Sequence, residues 1–431
     1  MTKVKNRWLI ALSAVGIHLS IGSIYAWSKI GKSVQTQLES GWSLKQITLT
    51  FGIAIFCLGI SAACMGHYVE KKGPRATGMI ASIFFGAGVT LGGYALKIES
   101  LPLLYCSYGV LGGIGLGVGY VTPVSTLVKW FPDKRGLATG MAIMGFGFGA
   151  ALFICLVQKI LPAMGITSIA TALMIMGPIY FIIMFVSSQY LAPPPKDWAP
   201  AGFTDASGAK KKTEDLSQLT ANEAIKTPRF YYLWFMLFIN ITCGIALISV
   251  AKNMGEDVIK LSDDSAAFFV ILMSLCNGLG RIGWSAFSDK IGRPLTYVSF
   301  FVLQIGCFLW LSTFFGRDIA AVDQYLFQGI VLLILTCYGG GFAAVPAFIG
   351  DLFGTKQLGA IHGYILTAWA MAGLTGSTLI AYVKDATGSY QNALYVFTGF
   401  FVIALAMSVI MLVNIKKLKA EKDLNLQAQT A

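Results

Sequence analysis

One arginine lies inside a long apolar stretch and points more directly to chemistry than any other residue. Arg281 falls within the apolar run 264–288, and its guanidinium keeps its charge at any physiological pH. An arginine at the centre of a membrane helix costs about 2.5–3.5 kcal/mol on insertion scales, so a chain keeps it where it faces a cavity or a partner. Because no Asp or Glu lies deep in an apolar run, we expect the partner to be a substrate carboxylate. The alternative is that Arg281 lies near a helix end and reaches toward Asp289.

Three further polar side chains within apolar runs are candidates for function. Asn277 precedes Arg281 by four residues, so a helix places both on one face, where Asn277 can bond the same carboxylate or a neighbouring helix. His18 and His362 carry imidazoles, which exchange a proton near neutral pH. Both are therefore candidates for proton coupling, and the alternative is that each neutral ring bonds a neighbouring helix.

The elements that hold these residues are predicted to be membrane helices. Of 431 residues, 56% are hydrophobic and only 12% are charged, which excludes a soluble multidomain protein and a disordered chain. About 20 apolar residues cross a bilayer, and a single chain segment satisfies its backbone there as a helix. Twelve such runs, named spans 1 to 12, predict an all-α membrane protein: 8–28, 47–69, 76–98, 101–128, 136–160, 165–191, 229–251, 264–288, 294–315, 325–350, 358–383 and 392–414.

The longest polar stretch divides the spans into six and six. It predicts an N-terminal bundle over 1–191, a cytoplasmic linker over 192–228, a C-terminal bundle over 229–415 and a tail over 416–431. Lys and Arg are concentrated in the loops that share a side with both termini, which places both termini in the cytoplasm and the protein in the inner membrane. We attribute the net charge of +12 to these loops and not to nucleic-acid binding.

A short loop pattern recurs half a chain apart. The same four-residue pattern, an acid followed by a lysine, any residue and a glycine, occurs after span 2 and after span 8. Such a repeat is expected for a transporter built of two six-helix halves, with a substrate site near the bilayer midplane. The acid can cap a helix end and pair with nearby basic groups, which would make the loop a conformational latch. The alternative is that the basic residues of the loop only hold it on the cytoplasmic side of the membrane. The proposed latch residues are Glu70, Lys71, Arg75, Asp289, Lys290 and Arg293.

This loop pattern, with six plus six helices, resembles the major facilitator superfamily. Three motifs are more narrowly similar to the oxalate/formate antiporter family, which is related to monocarboxylate transporters: Trp130-Phe131-Pro132-Asp133-Lys134-Arg135-Gly136, Tyr25-Ala26-Trp27 and Asn277-Gly278-Leu279-Gly280-Arg281. The resemblance implies that Arg281 binds the substrate anion and that aromatic side chains line the site. The matching positions are Tyr25, Tyr120, Tyr338, Phe146 and Phe342, although aromatic residues at span ends can instead be interface anchors.

One position departs from the family pattern. Oxalate-type members carry a lysine in span 11, whereas this chain, aligned through Gly363-Tyr364, has Trp369. One cation leaves a dianion with an uncompensated charge in a low dielectric. We therefore expect a secondary transporter of a monoanion such as lactate, pyruvate or formate, coupled to a proton. Two alternatives stay open: an oxalate/formate-type exchanger, and a membrane sensor that binds the anion without moving it.

Other classes lack their sequence signals. There is no nucleophile–base pair, cofactor motif or metal-ligand spacing, so we expect no enzyme activity, no cofactor and no metal. The eight cysteines all fall in apolar runs and are expected to be small buried hydrophobes. The expected partners are a small carboxylate, a proton and the lipid bilayer, with the protein as a monomer.

Overall fold

The computed structural model describes residues 4–38, 41–195, 198–203 and 215–430, and the regular elements in these ranges are all helical. The first nine helices are α1 (Arg7–Ile21), α2 (Trp27–Gln37), α3 (Leu44–Lys72), α4 (Pro74–Lys97), α5 (Leu101–Leu104), α6 (Gly112–Trp130), α7 (Arg135–Cys155), α8 (Leu161–Ala163) and α9 (Ile169–Tyr190). The remaining helices are α10 (Ala221–Ala224), α11 (Pro228–Asp257), α12 (Asp263–Ile291), α13 (Arg293–Ser312), α14 (Ala321–Phe353), α15 (Leu358–Thr387) and α16 (Tyr390–Thr430).

Twelve continuous helical stretches in the described ranges are long and apolar enough to cross a membrane. The predicted all-α membrane fold is therefore confirmed. Span 1 combines α1 with a 3-10 segment (Gly22–Ala26), and wider π-type turns occur in spans 4 and 5 (Tyr105–Leu111 and Leu156–Ile160). Several helices extend beyond their apolar runs: α16 continues to Thr430, past the predicted end at 414, because a basic, polar sequence can stay helical outside the hydrocarbon.

The glycine of the repeated loop pattern ends a helix. Gly73 and Gly292 stop α3 and α12 with φ of +83° and +86°, a left-handed region in which a residue with a side chain is strained. Pro74 then begins α4, where its missing N–H would have had no helical partner. The pattern is thus a helix stop followed at once by a helix start, which brings acid and base close to a helix end.

The helices form two compact units. The first comprises Met1–Lys211 with Gly359–Leu374, and the second comprises Lys212–Leu358 with Thr375–Ala431. In the first unit α4 packs on α6 and α9, and α1 packs on α7; in the second, α12 packs on α14 and α13 on α16. The sequence-based division assigned all of α15 to the second half, whereas the first half of this helix belongs to the first unit.

Described parts of the linker dock at both of its ends. In the first unit, the Trp130 indole N–H donates to the Ala192 carbonyl at 2.7 Å, and the Trp198 ring lies 4.7 Å from the Trp130 ring. In the second unit, the backbone of Leu216 donates to the carbonyl of Asp351 at 2.8 Å. The basic stretch Lys210-Lys211-Lys212 lies outside the described residues.

Candidate functional site

The predicted arginine is completely buried in α12. Arg281 has 0% of its surface exposed, and its Nε donates to Asn277 Oδ1 at 3.4 Å, one turn earlier in the helix. The guanidinium carbon lies 5.4 Å from the centre of the Phe342 ring on α14, within the range of a cation–π interaction. Asp289 forms its ion pair with Arg293 at 2.5 Å. Asp289 is eight residues from Arg281, or about 12 Å along the helix.

Glycines on α14 allow this close packing. A Cβ atom at Gly339 would lie 2.7 Å from Asn277 Oδ1 and 3.1 Å from Arg281 Cγ. A Cβ at Gly340 would lie 2.6 Å from Cβ of Trp284, whose indole N–H donates to Thr336 Oγ1 at 3.0 Å. Small residues let two membrane helices approach backbone to backbone, so α14 packs directly against the face of α12 that carries the arginine.

Four of the predicted residues therefore come together in the second unit. Tyr338 and Phe342 are adjacent on α14, with ring centres 5.4 Å apart and planes at 83°. Both are buried, as are Arg281 and Asn277. We call this group the arginine cluster: Asn277, Arg281, Tyr338 and Phe342.

Two buried amides beside this cluster were not predicted. Gln304 on α13 donates to Asn240 Oδ1 on α11 at 3.0 Å, and Asn240 donates to the backbone carbonyl of Tyr338 at 3.4 Å. Both side chains have 0% exposure. They tie α11 and α13 to the part of α14 that carries the cluster. Their signal in the sequence was a lone amide in an apolar run, the criterion that selected Asn277.

The other predicted aromatic residues gather in the first unit. The Tyr120 ring lies 5.6 Å from Phe146 and 5.3 Å from Trp369, and the Phe146 and Trp369 rings are 5.5 Å apart. Tyr25, on the 3-10 segment of span 1, lies 5.0 Å from Phe146. We call this group the aromatic cluster: Tyr25, Tyr120, Phe146 and Trp369. A Cβ at Gly22 would lie 2.7 Å from Phe146 Cα, so glycine is required for span 1 to pack this closely on α7.

Both candidate proton carriers contact the aromatic cluster. The rings of His18 and His362 lie 5.2 and 5.9 Å from the Tyr120 ring, and both residues are almost fully buried. His18 Nδ1 donates to the Ala14 carbonyl of its own helix at 3.0 Å. The third histidine, His67, is bonded to the Tyr364 hydroxyl at 2.9 Å.

In the first unit, the loop acid pairs with a base outside the loop. Glu70 forms an ion pair with Lys129 of α6 at 2.5 Å, and its second oxygen accepts from the Gly359 N–H at 2.8 Å. This N–H lies in the first turn of α15, where the helix dipole favours a negative charge. Arg75 Nε donates to Gln189 Oε1 at 2.9 Å, and Lys71 is exposed.

In the second unit, the equivalent acid pairs within its loop. Arg293 joins Asp289 at 2.5 Å and Asp351 of α14 at 3.2 Å, and it also donates to the Ser288 hydroxyl. Lys290 is exposed. Both loops therefore connect a carboxylate to a neighbouring helix. Sequence reasoning did not find Lys129 or Asp351, because each belongs to a distant segment of the chain.

Among the residues that the structure describes, no group of three or more His, Cys, Asp or Glu side chains is arranged to hold a metal ion.

Comparison with known proteins identifies the class. The profile of the Major Facilitator Superfamily matches residues 8–377, and the chain belongs to this superfamily of transporters. The oxalate:formate antiporter of Oxalobacter formigenes is 29% identical over 412 residues, which cover 94% of this chain and 92% of the relative. Apicoplast pyruvate carrier 1 of Toxoplasma gondii is 23% identical, with 95% and 89% covered. The solved fucose:proton symporter FucP of E. coli shares the fold, with a TM-score of 0.68 at 13% identity over 93% of this chain and 98% of FucP.

Proposed function

We propose that this protein is a secondary transporter of small monocarboxylate anions of the lactate, pyruvate or formate class, driven by a proton and working by alternating access. The observation that carries the proposal is the permanent cation of Arg281, fully buried in span 8. A guanidinium in such a place is stabilised by an anion that bonds it through two parallel N–H groups, and a carboxylate has that shape.

Its neighbours support this role. The Nε bond to Asn277 sets the orientation of the guanidinium plane, and the Phe342 ring packs against the cation. The Tyr338 hydroxyl supplies a further donor for a carboxylate in the same cluster. The arginine, the tyrosine hydroxyl and the side-chain amide can each donate a hydrogen bond to a negatively charged ligand.

The aromatic cluster favours a monoanion with a small organic body. We assign the apolar walls to Phe146 and Trp369, and the hydroxyl donors to Tyr25 and Tyr120. Trp369 is uncharged where oxalate-type members carry a lysine, so we assign one cation, Arg281, to the anion. One cation matches one carboxylate, whereas a dianion would retain an uncompensated charge.

The proton is assigned to His18 and His362, with transfer through the arginine–carboxylate pair as the alternative. The loop basic residues favour an inner-membrane protein with both termini in the cytoplasm. The loops at Glu70 and Asp289 act as latches, because each ties a carboxylate to a neighbouring helix by contacts that a change of conformation can break.

Uptake into proteoliposomes tests the proposal. Labelled lactate, pyruvate, formate and oxalate are offered with and without an inward proton gradient, and protein-free liposomes are the control. We expect the proton gradient to stimulate uptake of a monocarboxylate. Exchange that is independent of the gradient and accelerated by oxalate would establish the second candidate, an oxalate/formate exchanger, which the 29% identical relative favours.

A further inference from the structure

One buried serine on α12 differs from the other serines of that helix in its hydrogen bonding. Ser285 has 0% of its surface exposed, and its Oγ has no hydrogen-bond partner among the residues that the structure describes. A serine inside a helix commonly bonds a carbonyl of the preceding turn. Ser274 donates in this way to the Val270 carbonyl at 3.2 Å, and Ser288 to the Ser285 carbonyl at 2.7 Å. A buried hydroxyl without a partner is unfavourable, so Ser285 favours a ligand that supplies one.

Ser285 lies beside the buried arginine. Residues four apart on a helix share a face and are about 6 Å apart along the axis, so Asn277, Arg281 and Ser285 form one row. All three side chains are buried. The row consists of an amide, a guanidinium and a hydroxyl, and each of these groups can donate a hydrogen bond to an oxygen atom.

The packing of α12 on α14 does not account for the Ser285 hydroxyl. Trp284 donates to Thr336 Oγ1 of α14 at 3.0 Å, and a Cβ at Gly280 would lie 2.5 Å from Thr336 Cα. Successive residues of a helix are about 100° apart around its axis. Trp284 and Gly280 therefore lie to one side of Arg281, and Ser285 lies about 40° to the other side. The serine is thus next to the arginine but away from the face that contacts α14.

The row fits an acid that has a second oxygen beside its carboxylate. In pyruvate and lactate that oxygen is on carbon 2, the carbon that bears the carboxylate. A carboxylate held by Arg281 therefore keeps it within about one helical turn of the guanidinium, and Ser285 lies about one turn from Arg281. A serine hydroxyl both donates and accepts, so it can bond the keto oxygen of pyruvate and the hydroxyl of lactate. Formate and propionate have no such oxygen.

We propose that Ser285 is a specificity-determining residue of the transport site, which bonds the oxygen on carbon 2 of a 2-oxo or 2-hydroxy monocarboxylate held by Arg281. The inference rests on the proposed monocarboxylate transport and narrows its substrate class to acids of the pyruvate and lactate type. A site that bonds a substrate oxygen discriminates against the analogue without it, because the buried polar group is then left unpaired.

Three acids with the same three-carbon chain test the assignment. Pyruvate, lactate and propionate differ only at carbon 2, and their binding to the purified full-length protein is measured for the wild type, Ser285→Ala and Ser274→Ala. Ser274→Ala is the matched control, because it removes a hydroxyl of the same helix that already bonds the backbone. The thermal unfolding midpoint of each protein is recorded without any acid.

We expect the wild type to bind pyruvate and lactate more tightly than propionate. Ser285→Ala should weaken the binding of pyruvate and lactate about 2- to 12-fold, the contribution of one hydrogen bond, and leave propionate binding unchanged. Its unfolding midpoint should equal or exceed that of the wild type, because alanine removes a buried hydroxyl that has no partner in the described part of the chain. Ser274→Ala should bind all three acids as the wild type does.

An equal loss of affinity for all three acids in Ser285→Ala, or no loss for any, would overturn the role of Ser285 and leave the proposed transport standing. A lower unfolding midpoint of Ser285→Ala would also overturn it, because the hydroxyl would then already bond the protein. A wild type that binds neither these three acids nor formate would overturn the proposed function itself, and this inference with it.

Discussion

Replacing Gly339 by alanine tests whether the close approach of α12 and α14 holds the arginine cluster in its binding geometry. The new Cβ would lie 2.7 Å from Asn277 Oδ1 and 3.1 Å from Arg281 Cγ, and it would also collide with the Asn277 carbonyl. Backbone cannot move aside as a flexible side chain can, so α12 and α14 must separate. Overpacking of this kind costs about 1–3 kcal/mol of stability.

The effect on binding follows from the same contacts. The new Cβ pushes on Asn277 Oδ1 and Arg281 Cγ and so displaces the two side chains that share the 3.4 Å bond on α12, and a hydrogen bond to a charged group contributes about 1.5–3 kcal/mol. If the anion depends on that orientation, its affinity should fall roughly 10- to 150-fold. Pyruvate binding to the purified protein and the thermal unfolding midpoint measure the two effects.

The control lies on the same helix. A Cβ at Gly329 of α14 would meet nothing within 4 Å, so Gly329→Ala makes the identical chemical change without a collision. That variant should bind pyruvate normally and be slightly more stable, because alanine is favoured over glycine in a helix by about 1 kcal/mol. Wild-type pyruvate affinity in Gly339→Ala would refute the claim that α14 positions the arginine for binding.

Three further predictions concern Trp369, Glu70 and the pair Asn240 and Gln304. Trp369→Lys adds a second cation and should make oxalate a stronger competitor of pyruvate uptake, whereas Trp369→Met should not; an equal effect of both variants would show that charge is not the cause. Glu70→Gln removes the ion pair with Lys129 and should reduce the transport rate while pyruvate affinity is kept; an unchanged rate would argue against a latch. Asn240→Leu leaves the Gln304 amide without its acceptor and should lower the free energy of unfolding by about 1–3 kcal/mol. Asn240→Leu combined with Gln304→Leu removes both partners and should recover most of that loss. A thermal unfolding midpoint that does not recover in the double variant would contradict this pairing.

The sequence predicted the features of the fold that depend on local composition. Each span is recognised from its own apolar residues, since the bilayer imposes both length and helicity on every crossing segment. The shared face of Asn277 and Arg281 follows from helix geometry alone, and the structure gives them a direct hydrogen bond. Helix ends were less predictable, because α14 and α16 continue past their apolar runs where polar residues remain helical.

Contacts between distant segments could not be read from one chain. The partners of Glu70 illustrate the limit: Lys129 is 59 positions away and Gly359 is 289 positions away. Likewise, His18 and His362 were separate candidates in the sequence, and only tertiary packing brings both onto Tyr120. Such contacts depend on which helices pack together, and no local pattern encodes that choice.

The most direct test of the central claim is pyruvate binding to the purified protein with and without the arginine. Arg281→Ala removes the cation, Arg281→Lys keeps the charge but not the two parallel donors, and Arg317→Ala removes an exposed arginine that pairs with Asp323. Loss of a buried charged partner costs about 2–5 kcal/mol, so Arg281→Ala should weaken binding at least roughly 30-fold, Arg281→Lys less, and Arg317→Ala not at all. A folded Arg281→Ala protein that binds pyruvate with wild-type affinity would show that the anion is held elsewhere.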